Sequence, residues 1–313
     1  MSANVLLEVK HLSQFFRIDR HTTIRAVDDV SFHINEGETF SVVGESGSGK
    51  STLGRTLIRI YDAHSGSVNF MGKEIGGKLN SDSRKFLRKN MQMIFQDPMA
   101  SLNPRKKVLD AVAFGLDINH LSGDKDERLR KVVKVLKSVG LSEDHLTRYP
   151  HQFSGGQRQR IGVARALIME PRFIICDEII SALDVSIQAQ VINLMRRLQK
   201  EHGLTYMFIA HDLSMVRYLS DRVAVMHLGH IVEMGTVEDI YEHPLHPYTK
   251  SLLSAIPHPD PDAEKDRKRF VYLKGGVDYN IGTIRQLSDT HSILATDEEF
   301  SRWQQNDYSL FLK

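Results

Sequence analysis

The stretch GESGSGKST, residues 44–52, places glycines, a lysine and hydroxyl side chains at a spacing that can bind phosphate. It fits the pattern G-x-x-x-x-G-K-[ST], in which successive backbone N–H groups face the β- and γ-phosphates of a nucleotide. A flexible Gly/Ser turn is the alternative interpretation. We expect Lys50 to contact the phosphates and Ser51 to bind Mg²⁺. The predicted nucleotide-binding loop comprises Gly44, Glu45, Ser46, Gly47, Ser48, Gly49, Lys50, Ser51 and Thr52.

A pair of acidic residues follows the apolar run FIIC. Asp177 at a strand tip is suited to be a second Mg²⁺ ligand. Glu178 can polarise a water molecule for in-line attack on a γ-phosphate. By itself such a pair would more simply be solvated or cap a helix. Together with an upstream phosphate-binding loop, it indicates a hydrolytic site.

A second anion-binding helix start lies in FSGGQRQRIGVARAL, residues 153–167. The segment from Ser154 through Gly155 and Gly156 predicts a helix whose N-terminus is bare of side chains and so favours a bound anion. One domain is not expected to bring both anion-binding ends to one phosphate. A second copy or a relative, facing head to tail, could supply the other end. The sequence thus predicts a nucleotide held between two chains, with a plain glycine-rich helix start as the alternative.

The elements that must position these residues alternate between strands and helices. Residues 5–34 predict antiparallel strands, and ETFSVV predicts the strand before the loop. Later segments predict strands over RFIICD and LTYMFIA, a helix ending near Gly203, and a hairpin in DRVAVMHLGHIVEMG. Between the phosphate loop and the strand RFIICD, residues 108–150 are predicted to be helical, and Gly140 is predicted to end a helix. One helix face there is predicted to carry Leu129, Val132, Val133, Leu136 and Val139.

Composition narrows the possible functions. The 313 residues suffice for one large domain or two smaller ones. Because 41 Lys+Arg nearly balance 39 Asp+Glu, nothing demands a nucleic acid or an anionic membrane. The lone cysteine, Cys176, excludes an internal disulfide and a cluster held by four cysteines, and we expect it to be a small buried hydrophobe. Without a long apolar stretch or a secretory leader, the chain is expected to be cytosolic and to reach a membrane only through another protein.

Taken in order, these motifs resemble the ATP-binding subunits of ABC transporters over about residues 5–256. GESGSGKS matches Walker A, FIICDE matches Walker B, and Glu178 matches its catalytic glutamate. The signature motif is matched by Ser154, Gly155, Gly156 and Gln157, and the D-loop by Ser181, Ala182, Leu183 and Asp184. The resemblance implies that ATP and Mg²⁺ are bound and that the signature residues complete the ATP site of the opposing subunit.

Three further roles are implied by the same resemblance. Gln96 in MIFQDP would reach Mg²⁺ or the attacking water, so that Ser51, Gln96 and Asp177 form the metal site. His211 in MFIAHD would contact the γ-phosphate. Phe16 in LSQFFRI would stack on adenine, although Phe15 and a core role for either ring are alternatives.

The family fold is α/β, a P-loop NTPase (RecA-like) core with an N-terminal antiparallel β subdomain and an inserted α-helical subdomain at about 97–153. We expect an ABC ATP-binding domain over residues 1–256 and a small C-terminal extension over 257–313. One departure from the family pattern is Ile179, where proline usually follows the Walker B glutamate. It should loosen that turn slightly without inactivating the site.

Within the family, FQDPMASLNPR, LDVSIQAQ and HPLHPYTKSLLSAIPHPDP look like the oligopeptide/dipeptide importer branch, of the OppF type. This implies a peripheral ATPase at the cytoplasmic face of the membrane, paired with a related OppD-like ATPase or with itself. The pair would serve two transmembrane permeases fed by an extracellular peptide-binding protein, with no nucleic acid partner. No iron–sulfur cluster is expected, because no cysteine follows Cys176.

Other functions remain compatible with the motifs. Importers of nickel, sugars or other solutes have ATPases with the same motifs. Because the ATPase does not bind the solute, its sequence does not identify which solute is transported. An ABC ATPase acting on DNA or ribosomes is disfavoured by the absence of a second ATPase domain and of net basicity. A module that binds ATP without turnover is disfavoured by Glu178.

Overall fold

A computed structural model describes residues 4–181, 183–256, 269–273, 279 and 281–311. Ala182 of the predicted D-loop lies outside the described residues, as do residues 257–268, 274–278, 280 and 312–313 of the predicted C-terminal extension. The architecture is mixed α/β, as predicted. The described residues form two compact units.

The element boundaries are as follows. The strands are β1 (Val5–Arg17), β2 (Thr23–Asn35), β3 (Thr39–Val43), β4 (Ser65–Phe70), β5 (Lys73–Glu74), β6 (Met91–Ile94), β7 (Phe173–Asp177), β8 (Thr205–Ala210), β9 (Arg222–His227), β10 (His230–Thr236), β11 (Thr283–Gln286) and β12 (Ser292–Ala295). The helices are α1 (Lys50–Leu57), α2 (Ser81–Asn90), α3 (Pro98–Ser101), α4 (Val108–Ile118), α5 (Lys125–Ser138), α6 (Gly155–Leu167), α7 (Val185–His202), α8 (Leu213–Leu219), α9 (Val237–Glu242), α10 (Pro247–Ser254) and α11 (Asp297–Gln304).

One unit contains the phosphate loop and the C-terminal end of the described chain. We call it the loop unit; it consists of Val5–Ile34, Glu38–Gly76 and Ile209–Lys313, so far as these are described. Its first sheet has the strand order β2-β1-β4-β5, with β1 antiparallel to β4. β2 and β1 are hydrogen-bonded neighbours in this sheet, joined by a connection of only five residues, as in a hairpin. The predicted antiparallel strands within residues 5–34 are therefore confirmed.

The second sheet of the loop unit has the order β11-β12-β10-β9-β3. All five residues of β3 are buried, and β3 runs parallel to β9. The strands β9 and β10 form the predicted antiparallel hairpin. Towards the C-terminus, β12 pairs antiparallel with β10, and Trp303 on α11 is buried with Ile293 and Phe311. The described part of the predicted extension thus continues this sheet and adds its own apolar cluster.

The other unit contains β7, the strand that ends at Asp177, and the inserted helices. We call it the insertion unit; it consists of Asn35–Gly37 and Gly77–Phe208, together with the described residue Asn4. Its strands β6 and β7 are parallel neighbours, and the next strand beside β7 is β8. Every residue of β7 is buried, and burial raises the pKa of the Cys176 thiol well above its ordinary value. Cys176 is the small buried hydrophobe that was expected.

The helical subdomain within this unit contains α3, α4 and α5. The buried face of α5 and its C-terminal end is formed by Val132, Val135, Leu136 and Val139. Two residues predicted for this face are not buried in it: Leu129 is 41% exposed and Val133 is half-buried, whereas Val135, which was not predicted, is buried. The predicted stop is confirmed: α5 ends at Ser138, and Gly140 has a φ of +76°. None of the helices in the described ranges is long and apolar enough to span a bilayer.

Candidate functional site

The phosphate loop of the loop unit connects the buried strand β3 to helix α1. The helix begins at Lys50, as predicted, and Gly49 occupies its N-cap with a φ of +106°. Since Gly49 has no side chain with which to cap the helix, the first N–H groups of α1 are left to a ligand or to the loop. A helix start of this kind favours a bound phosphate.

Two glycines of the loop are required by close contacts. Gly44 has a φ of +151°, and a Cβ atom there would collide with the carbonyl oxygen of Met226. At Gly49 a Cβ atom would collide with the carbonyl oxygen of Ala26. Both the backbone conformation and the neighbouring main chain therefore exclude larger residues. The loop is fixed in place by the strands around it.

The ammonium group of Lys50 is enclosed by this loop. Its side chain is 4% exposed, and Nζ donates to the carbonyl oxygens of Gly44 at 2.8 Å and Glu45 at 2.7 Å, and to Ser48 Oγ at 3.3 Å. The charge therefore lies inside the loop, where the phosphates of a nucleotide would sit. Ser51 and Thr52 follow in the first turn of α1.

The outer side of the loop is held by residues that lie far away in the sequence. Gly229, in the β9–β10 turn, donates its N–H to the Ser48 carbonyl oxygen at 2.9 Å. The Glu45 N–H donates to the Tyr248 hydroxyl at 2.8 Å. Sequence reasoning missed Tyr248, since nothing in HPYTK indicates a contact 203 residues away.

In the insertion unit, the predicted catalytic residues Gln96 and Glu178 are brought together. Gln96 follows β6 and Glu178 follows β7, so both lie where two parallel neighbouring strands end. Gln96 Nε2 donates to Glu178 Oε2 at 2.7 Å. The hydrogen bond fixes one carboxylate oxygen of the predicted base.

Asp177 and Glu178 differ in their surroundings. Asp177 is the last residue of β7 and is fully buried. Glu178 is half-buried and has a φ of +48°, a left-handed conformation that is uncommon for a residue other than glycine. Strained backbone of this kind clusters at functional sites. The buried carboxylate of Asp177 provides the oxygen donor that Mg²⁺ prefers.

The D-loop turn after Glu178 is closed by short-range hydrogen bonds. Ser181 donates to the Glu178 carbonyl oxygen from both N–H, at 3.1 Å, and Oγ, at 2.9 Å. Leu183 and Asp184 follow, and Asp184 is the N-cap residue of α7. Gln188 Nε2 donates to the carbonyl oxygens of Ile180 and Leu183, so the start of α7 is tied to this turn.

The signature residues form an exposed helix start, but one that is not bare. Ser154 Oγ accepts a hydrogen bond from the Gln157 N–H at 3.3 Å, and Gln157 Oε1 accepts one from the Ser154 N–H at 3.1 Å. The prediction of a helix end without side-chain caps was therefore wrong, because S-x-x-Q forms a reciprocal capping box. Ser154 and Gly155 remain exposed. A Cβ atom at Gly156 would approach Ile187 Cγ2 to 2.6 Å, so glycine allows α6 to pack closely here.

His211 belongs to the loop unit, directly after β8. Its side chain is exposed, and the next residue, Asp212, caps α8 by accepting from the Ser214 N–H at 2.8 Å. The cap fixes the point at which the chain turns from β8 into α8. His211 is thus held at a strand end, as predicted.

The two candidate adenine-stacking rings, Phe15 and Phe16, are both half-buried at the end of β1. Phe15 packs against His64, with 4.6 Å between ring centroids, and the Arg25 guanidinium lies 5.1 Å from its centroid. Phe16 makes an edge contact with Tyr61 at 5.1 Å. Phe15 thus has two partners against its ring and Phe16 one perpendicular ring contact, and Phe16 remains the predicted stacking ring.

Replacing Phe16 with alanine is therefore expected to weaken ATP binding by about 1 kcal/mol or more, because a stacked aromatic contact is lost. The kcat at saturating ATP should change little. Phe15→Ala is the matched control, to be measured by the same ATP titration. Loss of affinity in the Phe15 variant alone would identify Phe15 as the stacking ring.

Comparisons with known proteins identify the family to which the chain belongs. Residues 27–181 match the family described as ABC transporter, and residues 232–271 match the family described as Oligopeptide/dipeptide transporter, C-terminal region. The chain is 56% identical to the oligopeptide transport ATP-binding protein OppF of Bacillus subtilis (strain 168), over 94% of this chain and 97% of that protein. It is 52% identical to the dipeptide transport ATP-binding protein DppF of Lactococcus lactis subsp. cremoris (strain MG1363), over 96% and 97%.

Solved structures of ATP-binding cassettes have the same fold. A post-hydrolysis dimer of the cassette MJ0796 bound to ADP and Pi matches with a TM-score of 0.67 and 27% identity, over 74% of this chain and 98% of that chain. CbiO1 from Clostridium perfringens, part of the ABC transporter complex cbiONQ, matches with a TM-score of 0.68 and 28% identity, over 77% and 92%. The chain belongs to the ATP-binding proteins of ABC transporters, in the oligopeptide/dipeptide transport branch.

Proposed function

We propose that this chain is the ATP-hydrolysing subunit that energises import of oligopeptides or dipeptides through a membrane permease. The observation that carries the hydrolytic assignment is the hydrogen bond from Gln96 to Glu178, directly after the buried Asp177. The peptide substrate is inferred from the relatives. They are oligopeptide and dipeptide transport proteins, and this chain matches nearly their full length.

ATP would be held by the phosphate loop. Lys50 would exchange its carbonyl partners for the β- and γ-phosphates, and the N–H groups at the start of α1 would complete the cradle. Ser51 and Asp177, with Gln96, offer the oxygen ligands that suit Mg²⁺. When bound, Mg²⁺ would neutralise the charge that develops on the phosphates.

Hydrolysis would use Glu178 as the group that orients and polarises the attacking water. Gln96 donates a hydrogen bond to one of its carboxylate oxygens and so orients the carboxylate. His211 would contact the γ-phosphate and so distinguish ATP from ADP.

The signature residues Ser154 to Gln157 and the D-loop are proposed to complete the nucleotide site of a second ATPase. The exposed Ser154 and Gly155 favour this role, since a site reserved for another chain must be accessible. The second ATPase would be a related OppD-like chain or another copy of this one. Binding of ATP between the two chains would close the pair, and hydrolysis would reopen it.

The permease would dock on the helical subdomain. Phe114, Ile118 and Leu121 follow one another at helical spacing over α4 and its C-terminal end, and are 45%, 54% and 41% exposed. An exposed apolar stripe of this kind is typical of a protein-binding surface. The assembled ATPases would then lie peripherally at the cytoplasmic face of the membrane, beneath two permeases supplied by an extracellular peptide-binding protein.

Affinity purification of the tagged chain from solubilised membranes tests this assignment. We expect a related ATPase and two permeases of the peptide importer branch to copurify with it. A Phe114→Asp/Ile118→Asp variant should lose the permeases, while Leu129→Asp, at an exposed site on α5, should retain them. Recovery of nickel or sugar permeases, or of ribosomal proteins alone, would contradict the peptide assignment.

A further inference from the structure

A buried tyrosine from the C-terminal region contacts the phosphate loop. Tyr248 lies in the first turn of α10 and is 1% exposed. Its hydroxyl oxygen accepts a hydrogen bond of 2.8 Å from the N–H of Glu45, the second residue of the loop. Burial raises the pKa of the Tyr248 phenol well above its ordinary value, so the hydroxyl stays neutral near pH 7.

The contacted peptide group is also bound to Lys50. The Gly44 carbonyl and the Glu45 N–H belong to one planar peptide unit. Its oxygen accepts from Lys50 Nζ at 2.8 Å, and its N–H donates to Tyr248 at 2.8 Å. Tyr248 therefore sets the orientation of the peptide plane that faces the lysine ammonium.

Tyr248 is in turn held firmly by the residues that start α10. His246 caps the helix, its Nδ1 accepting from the Tyr248 N–H at 3.0 Å. Glu233 on β10 accepts from the N–H groups of Leu245 at 2.7 Å and His246 at 3.1 Å, and pairs with His291 Nε2 at 2.9 Å. The segment that carries Tyr248 is thus anchored to a buried carboxylate.

The ring of Tyr248 is also held in place, by packing against two other rings. The ring centroid of His227 lies 4.1 Å from that of Tyr248, and the Tyr272 ring packs edge-on at 5.5 Å. His227 ends β9, the strand whose Met226 carbonyl abuts Gly44. With its ring fixed on two sides, the hydroxyl has little freedom to move away from Glu45.

We propose that Tyr248 is a positioning residue for ATP binding, which holds the Gly44–Glu45 peptide in the orientation that presents Lys50 and the loop amides to the phosphates. The inference rests on the proposed function, in that the loop binds ATP. It gives the C-terminal region a direct part in the nucleotide site, because α10 and its supports keep the loop in shape before the nucleotide arrives.

The test is Tyr248→Phe, which keeps the ring and removes only the hydroxyl. We expect the Kd for Mg-ATP of the full-length chain to rise about fivefold, since the Glu45 N–H loses the Tyr248 hydroxyl as its acceptor and the loop peptide is held less firmly. In the assembled transporter the KM for ATP should rise in parallel, with kcat changed by less than about twofold. Hydrogen exchange at the Glu45 amide should become faster.

Tyr206→Phe is the matched control. Tyr206 is also 1% exposed and its hydroxyl donates to a backbone group, the Met195 carbonyl at 3.2 Å, but it lies in the insertion unit. Its ATP affinity should be unchanged. All titrations are made well below the melting temperature of each variant, so that unfolding does not mimic weak binding.

The outcomes separate this inference from the proposed function. A Kd of Tyr248→Phe equal to that of the unmodified chain, or an equal weakening in Tyr206→Phe, would overturn the positioning role. Lys50→Ala is measured beside them. If it still binds ATP as tightly as the unmodified chain, the assignment of the phosphate loop itself fails.

Discussion

Replacing Glu178 with glutamine is expected to lower ATP turnover by about a hundredfold or more while the chain still binds ATP. The amide keeps the size of the side chain and can still accept the hydrogen bond from Gln96 through its oxygen. It cannot polarise water as a carboxylate does. Asp177, the proposed Mg²⁺ ligand, is left intact. Turnover and nucleotide retention are measured together in the assembled transporter.

Glu170→Gln is a suitable control for this experiment. Glu170 lies in the same unit, is exposed, and also has a positive φ, of +51°. Neutralising it should leave turnover unchanged. A Glu178 variant that hydrolysed ATP at half the normal rate would refute its assignment as the catalytic carboxylate.

Substitutions at Ser154 and Lys50 are expected to act on different nucleotide sites. Ser154→Arg should leave the ATP affinity of the isolated chain almost unchanged, because the signature is proposed to serve the opposing subunit. In the assembled pair it should lower hydrolysis by about a hundredfold, since a bulky cation at the exposed helix start prevents close approach. Lys50→Ala should lose ATP binding already in the isolated chain.

Ser154→Ala is the control that distinguishes the effect of added side-chain bulk from the effect of losing the capping hydroxyl. Loss of Ser154 Oγ removes the acceptor for the Gln157 N–H and should cost about 1 kcal/mol of helix stability. The alanine variant should nevertheless close over the partner's ATP better than the arginine variant. If Ser154→Arg abolished ATP binding by the isolated chain, the nucleotide site would be built within one chain and the two-chain arrangement would be wrong.

The sequence predicted most accurately where local spacing determines structure. The start of α1 at Lys50, the end of α5 before Gly140 and the β9–β10 hairpin all agree with the structure. Each is set by a few neighbouring residues: a glycine that tolerates positive φ, or apolar residues with a strand or helix period. The resemblance to a family implied that Gln96 reaches Mg²⁺ or the attacking water and that Glu178 is the catalytic glutamate, but it did not predict the hydrogen bond between the two side chains.

Contacts between residues far apart in the chain could not be predicted from the sequence. The hydrogen bond from the Glu45 N–H to the Tyr248 hydroxyl joins residues 203 apart. The strand pairing of Glu233 with Ile293 joins β10 to β12 in the C-terminal extension. No local pattern encodes either contact, because each depends on how distant elements pack. The capping box at Ser154 is different: S-x-x-Q was visible in the sequence and was overlooked in favour of the glycines.

Peptide uptake by cells of the source organism tests the central claim most directly. Uptake of a labelled tetrapeptide and a labelled dipeptide is compared between cells with the unmodified chain and cells with Glu178→Gln, along with nickel and sugar uptake as controls. We predict that uptake of at least one of the peptides falls to background while the controls are unchanged. Undiminished uptake of both peptides, or a loss confined to nickel or sugar, would contradict a peptide-importing ATPase.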